Sequence, residues 1–456
     1  MKEFYTKISF SFLCICLFLS GCGQNDNLFK QINSNISSAR YSFLEQENLN
    51  YSIFNGILDK SFAKKGIVQT TINTKSQISS HVVLADGSVI AGGFSILNNG
   101  TSVFTLAKYN KDGSLSSSFG TGGIVQTAIG GEAAINALVA MPDGSIIAGG
   151  YSKNCANNSL FTLVKYKPDG RINPTFGSRG IVQTLIGNST SMIRSLTLLN
   201  DGNILAAGYS LQDDKSPIMT LAKYNGYGTL VEEFGDDGIV LTQSGLSSQF
   251  FTAITLPDNS IVAGGYVNID LFTKVYALAK YNSLGKLDSS FGANGVSLTP
   301  IGMASYVLSL AVSADGALIA GGYSEGVERI SFFTIAKFDN KGNLQSNFGE
   351  NGLILNQIIP NSNRSAYTCS VIVLPEGAIL AGGYATGPDI SSVFTMYKYD
   401  LNGNVHNNFG NNGMVQTKIG NYSYLQSLSL QKDGTVVASG YAEKLGRVAF
   451  ALARYK

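Results

Sequence analysis

The 456-residue chain has no tryptophan, only two histidines, and charged residues amount to 14% of it. Globular domains usually carry about a quarter, so neutral polar groups must do most of the solvation. Lys and Arg total 32 against 30 Asp and Glu, spread evenly along the chain. A nucleic-acid binder needs a basic stripe or face, and none is written here, so no nucleic-acid partner is expected. His81 and His406 form no metal-ligand spacing with cysteine, so no metal and no cofactor is expected. Helical periodicity is absent throughout. Cysteine is scarce as well, at five residues. Cys14 and Cys16 belong to the leader and Cys22 directly follows it, which leaves Cys155 and Cys369 in different repeats. Spacing cannot establish a bridge between them, and two isolated thiols is the plainer reading.

Long apolar runs are also missing, apart from ISFSFLCICLFLS beginning at Ile8. That run is short for a bilayer span and follows Lys2 and Lys7, which reads as a signal peptide. It ends in Leu19-Ser20-Gly21-Cys22, which resembles the lipobox of bacterial lipoproteins. By that resemblance Cys22 becomes the mature N-terminus and carries the acyl chains. Several buried chains anchor far better than one, at about 0.8 kcal/mol per buried CH₂. Gly23 follows where an Asp would resemble an inner-membrane retention signal, so the outer membrane is favoured. Residues 22–57, rich in Asn, Ser and Gln, read as a polar tether. A signal peptide at 1–21, the tether, and a repeat body at 58–456 complete the division.

Glycine is plentiful, at 52 residues, and much of it recurs in fixed places. FAKKGIVQT at Phe62 returns in altered form at Phe119, Phe176, Phe234, Phe291, Phe348 and Phe409, at spacings of 57, 57, 58, 57, 57 and 61. A second marker, AGGF or AGGY, ends at Phe94, Tyr151, Tyr209, Tyr266, Tyr323, Tyr384 and, as ASGY, Tyr441. Seven copies of each in one phase define a repeat protein. Within a unit, ISSHVVLA and SVIAGGFS flank Asp86-Gly87, a hairpin signal of the type I′ kind. VFTLAKYN then supplies a third strand and IVQTAI a fourth. Four short antiparallel strands per unit describe a blade of a β-propeller. The paired glycines would let the neighbouring blade approach, and the Phe of FGxxG would plug the gap between blades.

The pattern begins with a lone fourth strand and ends on a third, AFALARYK. A closed ring accounts for both ends at once, because the N-terminal strand can complete the C-terminal blade and remove an open edge. The expected fold is all-β, a seven-bladed propeller of four-stranded blades, expected to be a monomer. The DGxxxAGG hairpin, the FxLxKYxxxG segment and FGxxGxVxT are similar to the delta-sixty β-propeller repeats of bacterial secreted proteins. That resemblance covers residues 58–456 and implies the propeller; it brings no reaction with it. The GH…WD pattern and tryptophan of other propeller families are missing.

Residues repeated in every blade read as scaffold. Lys108, Lys165, Lys223, Lys280, Lys337, Lys398 and Arg454 are taken as equivalent surface or edge positions rather than a ring of cations. Asp86 and its sisters are taken as turn formers, not calcium ligands, since further oxygen ligands are lacking. Gly322-Tyr323-Ser324-Glu325-Gly326 fits a nucleophile elbow, but no helix follows it. His81 occupies a place held by leucine elsewhere and reads as an interior or channel-facing residue. No catalytic residue is assigned.

What differs between blades is the loop after strand two and the exit from strand four. Both lie at one end of the ring, where loops on a rigid scaffold carry function. Candidate partner-binding residues on those loops are Asn154, Asn157, Asp213, Asp214, Lys215, Asp270, Glu325, Glu328, Arg329 and Asp389. The expected role is a lipid-anchored module of the cell envelope that binds protein or glycan through that face. A hydrolase or lyase working at the channel mouth is the alternative, and a structural envelope component the third reading.

Overall fold

Alternating β-branched and small residues between glycine turns give strands of eight or nine residues with short outer strands of four. The computed structural model describes residues 54–187, 190–326, 330–357, 365–386 and 391–456. The first strand is β1 (Ile67–Thr70). Blade 1 follows as β2 (Ser76–Val83), β3 (Val89–Ile96), β4 (Ser102–Tyr109) and β5 (Ile124–Thr127). Blade 2 holds β6 (Ala133–Ala140), β7 (Ile146–Lys153), β8 (Ser159–Tyr166) and β9 (Ile181–Thr184). Blade 3 holds β10 (Ser191–Leu198), β11 (Ile204–Leu211), β12 (Pro217–Tyr224) and β13 (Ile239–Thr242). Blade 4 holds β14 (Ser247–Thr255), β15 (Ile261–Asn268), β16 (Lys274–Tyr281) and β17 (Val296–Thr299). Blade 5 holds β18 (Ala304–Val312), β19 (Leu318–Glu325), β20 (Ser331–Phe338) and β21 (Leu353–Asn356). Blade 6 holds β22 (Ala366–Val373), β23 (Ile379–Thr386), β24 (Ser392–Tyr399) and β25 (Met414–Thr417). Blade 7 holds β26 (Tyr422–Leu430), β27 (Val436–Lys444) and β28 (Arg447–Tyr455), with β1 as its fourth strand.

The chain is thus a seven-bladed β-propeller of antiparallel four-stranded sheets. Its cores lie between blades. Ile90 and Leu106 of blade 1 share one cluster with Ile135, Leu138 and Ala148 of blade 2, which is why middle strands are apolar on both faces. The Phe of each FGxxG is buried, and its ring lies under a turn glycine of the next blade, Phe62 beneath Gly113 and Phe119 beneath Gly170. Burying such a ring contributes about 1.5–3 kcal/mol.

The two glycines of AGG serve different neighbours. A Cβ on Gly92 would meet Leu138 of blade 2, whereas one on Gly93 would fall 1.8 Å from the Gln77 carbonyl oxygen of its own inner strand. The inner strand bulges there, between Ile78 and Ser80, and every blade repeats the bulge. Ala207 and Ser439 can therefore replace the first glycine, and the second stays glycine in all seven blades. The Asp-Gly turn also differs from the type I′ expectation. Only Gly87 has positive φ, and Leu84 N donates to Ser88 O across a three-residue loop. This is a type I turn with a G1 bulge, because the Asp86 carboxylate accepts from Ser88 N and Oγ and holds Asp86 in ordinary φ.

Closure uses more of the N-terminus than one strand. β1 pairs antiparallel with β28 from Ile67↔Ala453 to Thr70↔Phe450. Before it, Asn55 N and Ile57 N donate to Lys456 O, and Leu58 bridges Tyr455. Asn55 O accepts from Gly410 N, as Asp169 O accepts from Gly120 N between blades 1 and 2. Phe54–Ile57, which the sequence reading places in the tether, are therefore part of blade 7. Cys22, the leader and the rest of the tether lie outside the described residues.

Candidate functional site

The two faces of the ring are built differently. On the face of the Asp-Gly turns, the recurring acids are consumed locally. Asp143 and Asp258 accept from their own Ser145 and Ser260, and Asp433 from Thr435. The recurring cations of the third strand reach these same turns: Lys223 to Asp201 at 2.9 Å, Lys337 to Asp315 at 3.5 Å, and Lys398 to Glu376 at 2.9 Å. Five of the seven are not the surface or edge positions expected, while Lys108 and Lys280 are partly exposed. Lys165, Lys223, Lys337, Lys398 and Arg454 are all at least nine-tenths buried. Their stems run through the blade, and Lys223 and Lys337 lie over Phe234 and Phe348 at 5.9 and 6.0 Å. A paired, buried cation of this kind holds the turn and has no free charge for a ligand.

Most of the expected partner-binding residues on the opposite face are turn builders. Asn154 Oδ1 accepts from Ala156 N and Asn158 N, and Asn157 has a positive φ of 63°. Asp214 accepts from Ser216, and Lys215 sits at φ 65°. Asp270 accepts from Phe272 N and Thr273 N, which leaves Leu271 and Phe272 exposed at 83% and 86% at the loop tip. Asp213 lies on the same 212–216 turn, and Glu325 closes β19 opposite Ser331. These residues sit one loop per blade, and the structure does not bring them together. Glu328, Arg329 and Asp389 lie outside the described residues.

What converges on this face is a set of side chains the sequence reading passed over. The marker Tyr of the second strand stands opposite the residue two places before the bulge of the first strand: Tyr306↔Tyr323, Tyr367↔Tyr384 and Tyr424↔Tyr441. These pairs stack at centroid distances of 4.6, 4.8 and 4.8 Å. Between blades the contact turns edge-on, Tyr266 to Tyr306, Tyr323 to Tyr367 and Tyr384 to Tyr424, at 5.3, 4.9 and 5.0 Å. Seven tyrosines thereby form one arc over blades 4 to 7, close to the innermost strands. Each contact of this kind contributes about 0.5–1.5 kcal/mol beyond burial. Burial pushes the phenol of Tyr441 up to about 12 and raises those of Tyr266, Tyr323 and Tyr384. These four remain neutral at neutral pH.

Cations flank the arc. Lys274 lies over Tyr266 and Tyr306 at 5.1 and 5.2 Å. The Arg194 guanidinium lies between Tyr209 and Phe251 at 5.7 and 5.8 Å, and Lys75 stands over Phe94 at 6.0 Å. Arg194 is the bulge residue of β10. Sister bulges carry Ser79, Asn136, Phe251, Leu308, Cys369 and Gln426, so the charge is not something the scaffold repeats.

The remaining candidates have structural tasks. Ser324 of the GxSxG match is buried and hydrogen-bonded to Thr334 Oγ1 at 2.9 Å, as Ser152 is to Thr162. His81 is buried, with Nδ1 2.7 Å from Ser439 Oγ, and burial lowers its pKa to about 4. Both Cys155 and Cys369 are free thiols. Among the described residues no group of three or more His, Cys, Asp or Glu is placed to hold a metal ion.

Against known proteins, the model of a domain of unknown function (DUF5122) beta-propeller matches residues 84–119 and 142–176, the same stretch of blades 1 and 2. No curated protein matches the chain. The chain is similar in fold to the beta-propeller domain of the Trilobed protease from Pyrococcus furiosus, at 10% identity over 85% of this chain and 95% of that one, with a TM-score of 0.42. It is also similar to a PL25 ulvan lyase, at 10% identity, 87% and 95% coverage and a TM-score of 0.49. A glucose dehydrogenase aligns at 9% identity, 85% and 99% coverage and a TM-score of 0.38. None of the three carries its activity to this chain.

Proposed function

We propose that this protein is a lipid-anchored envelope module of the delta-sixty type that binds a protein or glycan through the variable face of its propeller. The observation that carries this reading is the asymmetry of the two faces. One face spends its acids and cations on its own turns, while the other gathers the tyrosine arc, Arg194, Lys274 and the exposed Leu271 and Phe272. An aromatic and cationic surface is the usual make-up of a binding site. Asp214 and Asp270 of that face close turns and Glu132 pairs with Lys153, which favours binding over the hydrolase or lyase alternative.

Cys22 is the proposed anchor, its acyl chains holding the protein to the outer membrane with residues 23–53 as the tether. Replacing Cys22 by Ser should abolish acyl labelling and release the protein from membranes; retained labelling would refute the anchor. For the face, exchanging residues 212–216 and 269–273 for the 154–158 turn of blade 2 should spare folding. It should also weaken recovery of a ligand from envelope extracts, and unchanged recovery would move the binding surface elsewhere.

A further inference from the structure

Arg194 is a charged group for which the fold supplies no counter-charge. Pairing between β10 and β11 slips between Ile193 and Ser195, so Arg194 has no cross-strand partner, and a bulge of this kind re-aims its side chain. Its guanidinium is covered on two sides by Tyr209 and Phe251. Its Nε is buried without an acceptor, and among the described residues no carboxylate forms an ion pair with it. A buried charged donor left unpartnered is costly and asks for an acceptor from outside.

The surroundings narrow what that acceptor is. An aromatic ring stands on two sides of the guanidinium, and its planar fork matches the two oxygens of a carboxylate or sulfate. Lys274 places a second positive charge nearby over Tyr266 and Tyr306, with Glu325 acting on it only at longer range. The tyrosine faces are occupied by one another, so phenol edges and neutral hydroxyls are what the rim offers. A hydroxyl-rich rim around two cations suits a polyhydroxylated anion better than an apolar peptide side chain.

We propose that the channel mouth over blades 3 to 5 binds an acidic saccharide, its carboxylate or sulfate seated on the edge of Arg194 and balanced by Lys274. The tyrosine hydroxyls hydrogen-bond its sugar hydroxyls. This inference rests on the binding-face reading and names its ligand class.

The full chain in detergent is titrated with polygalacturonate, which carries carboxylates alone, and with dextran sulfate, which carries sulfates alone. Calorimetry and tyrosine fluorescence both report, the latter unobscured because the chain has no tryptophan. Saturable binding of either saccharide is expected, and the one that binds identifies the anion. Arg194→Gln should weaken it by about ten- to a hundredfold, the worth of a hydrogen bond to a charged group. Arg194→Lys should recover only part of the carboxylate binding, since the fork is lost. Lys274→Gln should weaken it less, and all three variants should melt like the parent. Equal binding of neutral dextran or polyglutamate, or of acidic saccharide by R194Q, would overturn the proposal. So would absence of binding to both saccharides. If that failure came while loop exchange still abolished ligand recovery from envelope extracts, the ligand class would fall and the binding face would stand.

Discussion

Replacing Asp59 by alanine strikes the ring at the one place where covalent continuity is missing. Asp59 is 2% exposed and accepts from Arg454 Nε at 2.8 Å, with Arg454 Nη2 at 2.7 Å and Lys456 Nζ at 2.8 Å. Arg454 is itself only 5% exposed. Removing one partner of a buried pair costs about 3–5 kcal/mol, because the other charge is left uncompensated. Arg454 keeps the Lys111 carbonyl at 2.6 Å and the Phe62 ring at 4.6 Å, which points to the lower end. The control is Arg171→Ala in blade 2, whose pair with Asp169 is exposed on both sides, at 76% and 41%, and about 0–1 kcal/mol is expected. Urea denaturation read by circular dichroism gives the two losses, and amide exchange locates them. D59A should accelerate exchange at Ile67–Thr70 before the rest of the ring. The gap should also narrow in acid. Burial alone would raise the Asp59 carboxyl, but hydrogen bonds from Lys456, Ser61 and Arg454 outweigh it and hold it below the usual carboxylate range. Its contribution is therefore full above about pH 4 and lost as the pH falls further. Equal losses in D59A and R171A at neutral pH, or unchanged exchange in β1, would refute the staple.

The second seam contact predicts a separate pH response. His81 must be neutral when folded, with its pKa lowered to about 4 by burial, so stability should rise between about pH 4 and 6.5 and level off above. The His81→Leu, Ser439→Gly pair restores the sister arrangement of Leu138 on Gly92 and should flatten that slope in melting curves taken from pH 4.5 to 7. An unaltered slope would remove His81 from the account. For the thiols, burial pushes Cys369 up to about 12, whereas Cys155 is exposed. A thiol reagent at pH 7.5 should label Cys155 rapidly and the half-buried Cys369 far more slowly, and labelling of Cys369 in the C155S variant as fast as that of Cys155 would contradict its raised pKa.

The blade was legible because its signals are local: Asp-Gly turns, alternating strands and FGxxG each state their structure within ten residues. Closure was legible as well, since β1 and β28 are complementary pieces of one repeat. The start of the folded body was not, because Phe54–Ile57 copy the geometry of a sister connection without copying its residues. The buried lysines were misplaced for a related reason. Lys223 reads as an edge cation until the depth of the blade shows its stem running inside to Asp201. The site was the least legible part. Tyr306, Tyr367 and Tyr424 share one position across three blades and could have been found by aligning repeats. Arg194 depends on a bulge, a register slip that no residue pattern announced. The loop acids were selected for variability, yet Asp214 and Asp270 vary while keeping one job, closing a turn.

The division of labour between the two faces is open to one direct measurement, amide exchange of the full chain with and without whichever of polygalacturonate and dextran sulfate it binds. The account predicts slowed exchange at the starts of the inner strands, in Ser191–Arg194, Ser247–Phe251 and Ala304–Val307, and none at the Asp-Gly turns of Asp86, Asp201 and Asp315. Protection confined to those turns, with the inner strands unchanged, would contradict it.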